Sequence, residues 1–375
     1  MKYVSDVAQG IILLLAWVGI GTMPCKAQVL DGCSPYPQSE NSMLGRSPLI
    51  KRALLSTGIL VLLCSPAAAQ QKIGVLAGYT GEWGGYGVAF RHGIEMADVG
   101  SKATFIYEDD GFLPAKSVSA FRKLLQVDKI SAVLVGDTVT AQAIAPIAFK
   151  QKVTVLAWAS GAKFTNNPHA LRLWTSTDKD FSFTVHEIRR RGYKRLALFT
   201  STHTYTTAWA SALTEQFPDS AWEDFSSNPE GFQSSILKAK AGGYDAIGVC
   251  LAAGLNGRFA QQLRSLGIDI PLFGCNFIES SADIEAAHGA FDGVWFTAPK
   301  VSREFTTLYT ERFGASDHLI SAALFHDAAL LVTGATDKPF AIAGLREVKV
   351  DGDRHLDFDY QVLQFKGTRM VGDAG

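Results

Sequence analysis

From Lys72 to Ala298 the chain alternates short aliphatic or β-branched runs with stretches of helical spacing, and it does so in two successive sets. Lys72–Gly78 (KIGVLAG) is an apolar run ending on glycine, the pattern of a parallel strand covered on both faces. Gly84–Ala97 follows, with Val88, Ile94 and Ala97 at helical spacing. Ala103–Tyr107, a helix from Pro114 to about Leu125, the strand Ala132–Gly136, a helix from about Thr140 to Gln151 and the strand Thr154–Ala157 complete the first set. Short connections between such elements define a doubly wound α/β sheet. After Asp180 the pattern restarts: helix Phe181–Arg191, strand Arg195–Thr200, helix Ala208–Gln216, strand Trp222–Phe225 and helix Phe232–Ala241. Strand Ala246–Leu251, helix Asn256–Leu266 and strands Leu272–Gly274 and Val294–Ala298 close the second set. Two helices come next, Ser302–Phe313 and Ser321–Ala335. The second is apolar on most of its surface and is expected to be buried. The tail Leu356–Met370 alternates apolar and polar residues behind an Asp351-Gly352-Asp353 turn, which predicts a strand pair.

A chain of 375 residues exceeds what one core organises, so two lobes are expected. A net charge of -1 supplies no basic stripe for phosphates and argues against a nucleic-acid partner. The first seventy residues stand apart. Arg46, Lys51 and Arg52 precede the apolar run Ala53–Leu63 and the small residues Ala67-Ala68-Ala69, the layout of a secretory signal. Residues 43–69 therefore read as a signal peptide cleaved before Gln70, and 1–42 as an over-extension of the reading frame. An uncleaved anchor and a lipid-modified Cys64 are the competing readings. The mature region then keeps only Cys250 and Cys275, at the ends of neighbouring strands, and two small buried thiols are preferred there over a disulfide.

IGVLAGYTGEWGGYGVAFRHGIEMA resembles the opening of the branched-chain amino acid (Leu/Ile/Val-binding) type of periplasmic solute-binding protein, the substrate-binding component of ABC importers. AVLVGDTVTAQAIAPIA with VTVLAWASGAKFT, GYDAIGVCL with QQLRSLGIDIPLFG, GAFDGVWFTAP, and FTTLYTERFG with SAALFHDAALLVTGA agree in order, so the resemblance covers essentially residues 72–370. It implies the type 1 periplasmic binding fold: two doubly wound three-layer lobes joined by three crossover segments, with the ligand cleft between them. The lobes would be 70–178 plus 301–338, and 179–300 plus 339–375.

Ligands of open α/β sheets bind outside the carboxyl ends of the strands. Gly136-Asp137-Thr138-Val139-Thr140 lies there at a helix N-terminus, which suits a carboxylate. The resemblance implies a hydroxyl contact from Thr138 or Thr140, and spacing leaves the choice between them open. It likewise implies that Ala159, Ser160 and Gly161 hold the ligand's carboxylate, that Trp83 and Tyr86 form an aromatic wall, and that Tyr205 closes over the ligand. Family members that bind amino acids carry an acid after the PLFG strand for the ligand's ammonium; here Asn276 stands in that place, with Glu279 three residues on. The expected ligand is an amino acid, or an amide, urea-like molecule or organic acid.

The histidines are scattered without metal-ligand spacing, and there is no G-x-S-x-G elbow, P-loop or G-x-G-x-x-G fingerprint. With the resemblance, this implies a non-enzymatic periplasmic receptor, expected to be monomeric and without a cofactor. It would close by hinge motion and dock on a membrane permease encoded separately; a sensing module using the same fold is the alternative.

Overall fold

The structure, a computed structural model, describes residues 70–81, 83–159, 166–225, 231–314, 318–350 and 352–372. The expected extension and signal peptide, residues 1–42 and 43–69, lie outside the described residues, as do Ser160 and Gly161.

Two seven-stranded sheets carry the fold. In the first, β1 (Gln71–Ala77), β2 (Ala103–Asp109), β3 (Ala132–Val135), β4 (Thr154–Ala157) and β5 (Ala170–Arg172) run parallel in the order β2-β1-β3-β4-β5. The second repeats that order: β6 (Leu196–Ser201), β7 (Ala221–Phe225), β8 (Ala246–Cys250), β9 (Leu272–Gly274) and β10 (Trp295–Pro299) are arranged β7-β6-β8-β9-β10. Each sheet reverses its winding between its first and third strands, and a crevice opens at that switch point. The strands β1, β3, β6 and β8 are buried along nearly their whole length, which is why they read as continuous apolar runs rather than alternating ones.

Helices α1 (Gly84–Ala97), α2 (Pro114–Lys123), α3 (Thr138–Lys150), α4 (Thr177–Arg190), α5 (Thr204–Gln216), α6 (Gln233–Gly242) and α7 (Leu255–Ser265) connect the parallel strands. A short helix, α8 (Ser281–Ala287), precedes β10; α9 (Arg303–Phe313) and α10 (Leu319–Thr333) follow it. Although α10 comes after the whole second sheet in sequence, it packs on α1 of the first, with Phe90 and Phe325 stacked at 3.9 Å. Its residues Ile320–Leu330 are all buried, in keeping with an all-round apolar helix.

The last four strands are split between the sheets. The hairpin β11 (Arg346–Val350) and β12 (Asp353–Asp357) joins the first sheet, where His355 of β12 pairs with Arg172 of β5. The hairpin β13 (Tyr360–Lys366) and β14 (Arg369–Gly372) joins the second, antiparallel to β10. The sequence assigns residues 339–375 to the second lobe; strand pairing instead moves the third crossing to 358–359. Alternation along the tail predicts strands but not which edge they join; here β12 pairs with β5, and Arg172 forms an ion pair with Asp353.

The lobes are therefore joined by segments 173–176, 300–302 and 358–359, the last two stitched by backbone bonds. Lys300 N donates to Asp359 O (2.8 Å), Ala343 N to Lys300 O (2.8 Å) and Asp359 N to Ala343 O (3.0 Å). Asp327 of α10 reaches the same region and accepts from the amides of Ala341 and Ile342 at 2.7 and 2.8 Å.

Cys250 and Cys275 form a disulfide across β8 and β9, with Cα atoms 5.3 Å apart, correcting the expectation of two free thiols. The parallel register brings the two strand ends side by side, as expected, and close enough for the bond. Closing a loop of 25 residues stabilises by about 3 kcal/mol through the unfolded chain. Reduction is accordingly expected to lower the melting temperature, and neither cysteine is expected to alkylate before a reductant is added. Ready alkylation of the native, unreduced protein would contradict the bond.

Candidate functional site

A cavity of about 240 Å³ lies between the carboxyl ends of the two sheets, and both lobes supply its walls. From the first lobe come Trp83 and Tyr86 (after β1), Gly111–Leu113 (after β2), Gly136–Val139 (after β3), Trp158 and Ala159 (after β4) and Trp174 (after β5). From the second come His203 and Tyr205 (after β6) and Asn276 and Phe277 (after β9). Rings meet across the cleft: Trp83 lies 6.1 Å from Phe277 and 6.0 Å from His203, and Tyr86 lies 6.2 Å from Phe277. The structure thus shows the lobes drawn together over the cavity.

The β3–α3 turn separates the two threonines. Thr138 is on the cavity wall. Thr140 is buried behind it, where its hydroxyl donates to Asp110 Oδ2 (2.9 Å) and lies 3.0 Å from Ser117 Oγ. Two residues along a helix turn the side chain through about 200°, so one threonine faces the cleft and the other the core. Asp137, between Gly136 and Thr138, caps α3: its Oδ1 accepts the Thr140 amide at 2.6 Å. Burial outweighs those hydrogen bonds and pushes the Asp137 carboxyl up to about 6.

On the second lobe, Asn276 opens a turn of 3₁₀ helix, Asn276–Glu279, held from both sides. The disulfide fixes Cys275 in front of it, and Ser280 caps α8 behind it, accepting the Asp283 amide at 3.1 Å. Asn276 is 7% exposed, and its Oδ1 has no protein partner. Glu279 is buried but is not on the cavity wall; burial first and its negative charge second raise the Tyr86 hydroxyl. His203 caps α5, with Nδ1 accepting the Tyr205 amide at 3.2 Å, and desolvation lowers its pKa, so the ring is neutral.

Tyr205 presents its ring to the cavity while its hydroxyl donates to Asp180 Oδ2 at 3.1 Å. The same buried carboxylate accepts Trp174 Nε1 at 2.7 Å and Tyr360 OH, on Oδ1, at 2.7 Å. Asp180 thereby joins the first crossing, the start of β13 and the cavity wall. Burial raises its carboxyl despite the three donors.

Among the expected site residues, then, Trp83, Tyr86, Thr138, Ala159, Tyr205 and Asn276 meet at one cavity, whereas Thr140 and Glu279 stand behind its wall. Sequence reasoning missed Asp137, Trp158, His203 and Phe277 as contacts, although each lies within two residues of a named one beyond a strand end. Phe112 sits in what reads as a plain turn, and Trp174 follows β5, a strand of three residues with no signal of its own.

These features define a two-lobed binding protein of the type 1 periplasmic binding fold. The family model described as "Periplasmic binding protein" matches residues 70–360, and the chain belongs to that family. Among solved structures it is similar to the leucine binding protein LivK of Thermotoga maritima, with a TM-score of 0.70 and 19% identity over 81% of this chain and 98% of that one. It is also similar to LivJ of Streptococcus pneumoniae in complex with isoleucine (TM-score 0.69, 18% identity, 81% and 99% covered). An ABC transporter solute binding protein of R. palustris in complex with benzoate matches with a TM-score of 0.68 and 18% identity, covering 81% and 96%. No curated protein matches the chain. Identity this low establishes the shared fold. Among the described residues no helix is long and apolar enough to cross a membrane.

Proposed function

We propose that this protein is the extracytoplasmic receptor of an ABC importer, enclosing one small molecule with an aromatic or apolar body by closure of its two lobes. The observation that carries this reading is the cavity itself: walls from both lobes, closed over by Trp83, Phe277 and His203. A ligand bound there touches both sheets at once, so it favours the closed arrangement by its contacts with the second lobe. The closed form is what a membrane permease would recognise. The sequence expectation of an amino acid, amide or carboxylate becomes narrower, because Trp83, Tyr86, Phe112, Trp158, Trp174, Tyr205 and Phe277 line most of the space. Such walls reward a flat apolar body by burial and ring stacking. The importer role is supported further by the solute-binding neighbours with amino acids and benzoate.

Thermal-shift screening of the purified protein against amino acids, amides, aromatic acids and aromatic amines tests this reading. Stabilisation by at least one compound with an aromatic or branched apolar body is expected, with a smaller radius of gyration in solution scattering when it is bound. Turnover of a bound compound would overturn the receptor class. Trp83→Ala is expected to weaken that compound about tenfold or more while leaving the melting temperature within a few degrees, since Trp83 is only partly buried and its ring serves the cleft.

A further inference from the structure

The family resemblance points to a carboxylate on the first lobe, but the charge that the described lining residues bring to this cavity is of the wrong sign for one. Asp137 is on the wall where the resemblance places an anion, and its own carboxylate already occupies the N-terminus of α3. Asp110, fully buried behind the same turn, adds a second negative charge felt by Asp137. Among the described lining residues there is no lysine or arginine. His203 is the one imidazole among the described lining residues, and it is neutral, with Nδ1 engaged. On the second lobe, Glu279 lies close enough behind the wall to act on Tyr86. An aromatic carboxylate entering here would lose its water and meet a like charge, with no counter-ion among the described lining residues.

The acceptors, by contrast, are in excess. Asn276 Oδ1 is a carbonyl oxygen, more than nine-tenths buried, on the cavity wall and without a protein donor. A buried acceptor of this kind costs stability until something donates to it. Three tryptophans, two tyrosines and two phenylalanines face the same space. Aromatic faces attract a cation, tryptophan most strongly, and more so where water is excluded. A carboxylate, an unsatisfied acceptor and a box of rings are together the complement of an organic ammonium.

We propose that the cavity selects an organic cation, an ammonium carried on an aromatic or apolar body, with Asp137 as its counter-ion and Asn276 Oδ1 accepting a further donor from the ligand. This rests on the receptor reading above and sharpens it: the specificity determinant is a carboxylate on the first lobe. The ammonium displaces no charge pair within the protein, because it meets the free-energy cost that burial of Asp137 imposes. Zwitterionic amino acids would be weaker ligands than the corresponding amines, since their carboxylate gains no counter-ion among the described residues.

The test is calorimetry or thermal shift with four probes that each carry an apolar body and differ in charge: 2-phenylethylammonium, benzamide, benzoate and leucine. Binding of 2-phenylethylammonium at least tenfold tighter than benzoate is expected. Its affinity should fall as the pH is lowered through about 6, where Asp137 takes up a proton and the counter-ion is lost. Asp137→Asn keeps the helix cap, because Asn caps as well as Asp. It should cost 2-phenylethylammonium about tenfold or more and leave benzamide within twofold. Benzoate or leucine binding as tightly as the amine, or an Asp137→Asn protein with unchanged amine affinity, would overturn the ammonium proposal and leave the receptor reading standing. No stabilisation by any of the four, nor by the wider panel, would overturn both.

Discussion

Replacing Asp180 with alanine is expected to cost roughly 3 kcal/mol of stability and to loosen the ligand site at the same time. Its carboxylate is the common acceptor for Trp174 Nε1, Tyr205 OH and Tyr360 OH. Each donor left buried without a partner costs on the order of 1 kcal/mol or more. Because Tyr205 and Trp174 also line the cavity, ligand affinity should fall with stability rather than independently of it. Asp180→Asn separates the contributions. One amide oxygen can still accept from Trp174 and Tyr205, and the Tyr360 hydroxyl can turn to accept from the new NH₂, so the loss should be about half as large.

The two variants also differ from the parent in pH dependence. Burial raises the Asp180 carboxyl, so the folded protein holds that proton more tightly than the unfolded chain. Ionisation of Asp180 therefore subtracts stability as the pH rises above the ordinary carboxylate range, and stability is fully present below it. Both variants should lack that component of the slope. Urea unfolding at several pH values reads both effects; a loss under 1 kcal/mol for Asp180→Ala would show that the hinge does not depend on this carboxylate.

The second large effect is expected at Gly93, in the middle of α1. A Cβ there would stand 1.9 Å from the carbonyl oxygen of Ala322 and 3.0 Å from the amide of His326, both backbone atoms of α10. Backbone cannot rotate aside, so even alanine forces the helices apart and opens the stack of Phe90 on Phe325. Alanine in an exposed helix would add up to about 1 kcal/mol over glycine. Gly93→Ala should instead lose roughly 3 kcal/mol, and Gly93→Val should fail to fold. The opposite signs of the two effects make the measurement decisive: a neutral or stabilised Gly93→Ala protein would mean that α1 and α10 do not approach as described. The contact matters because α10 is the element by which the chain, having built the second sheet, returns to the first.

Much of this architecture could be read from the residues. Gly84–Ala97, Thr154–Ala157 and Leu272–Gly274 fall where their apolar spacing puts them, and Trp83, Tyr86, Tyr205 and Asn276, which the family resemblance implies for the site, line the cavity beyond strand ends. Periodicity and glycine or proline punctuation are local properties, and the strand-to-helix alternation of a doubly wound sheet expresses them directly. The misses are of another kind. β5 is three residues long and is a strand only because β4 and β12 lie beside it. Thr138 and Thr140 have the same chemistry, and only the capping of α3 by Asp137 decides which one turns to the cleft.

The sequence by itself thus determined the family resemblance, the alternating elements of both sheets and the neighbourhood of the site. Tertiary structure alone decided that Arg346–Asp357 joins the first sheet, that Cys250 and Cys275 meet, and that Asp180 ties the crossings to Tyr205. It also showed that the one formally charged side chain among the described lining residues is Asp137. The physical reason is the same in each case. A strand's hydrogen-bonding edge, a disulfide's partner and a carboxylate's surroundings are set by groups far away in sequence, and nothing in the local pattern of apolar and polar residues carries their positions.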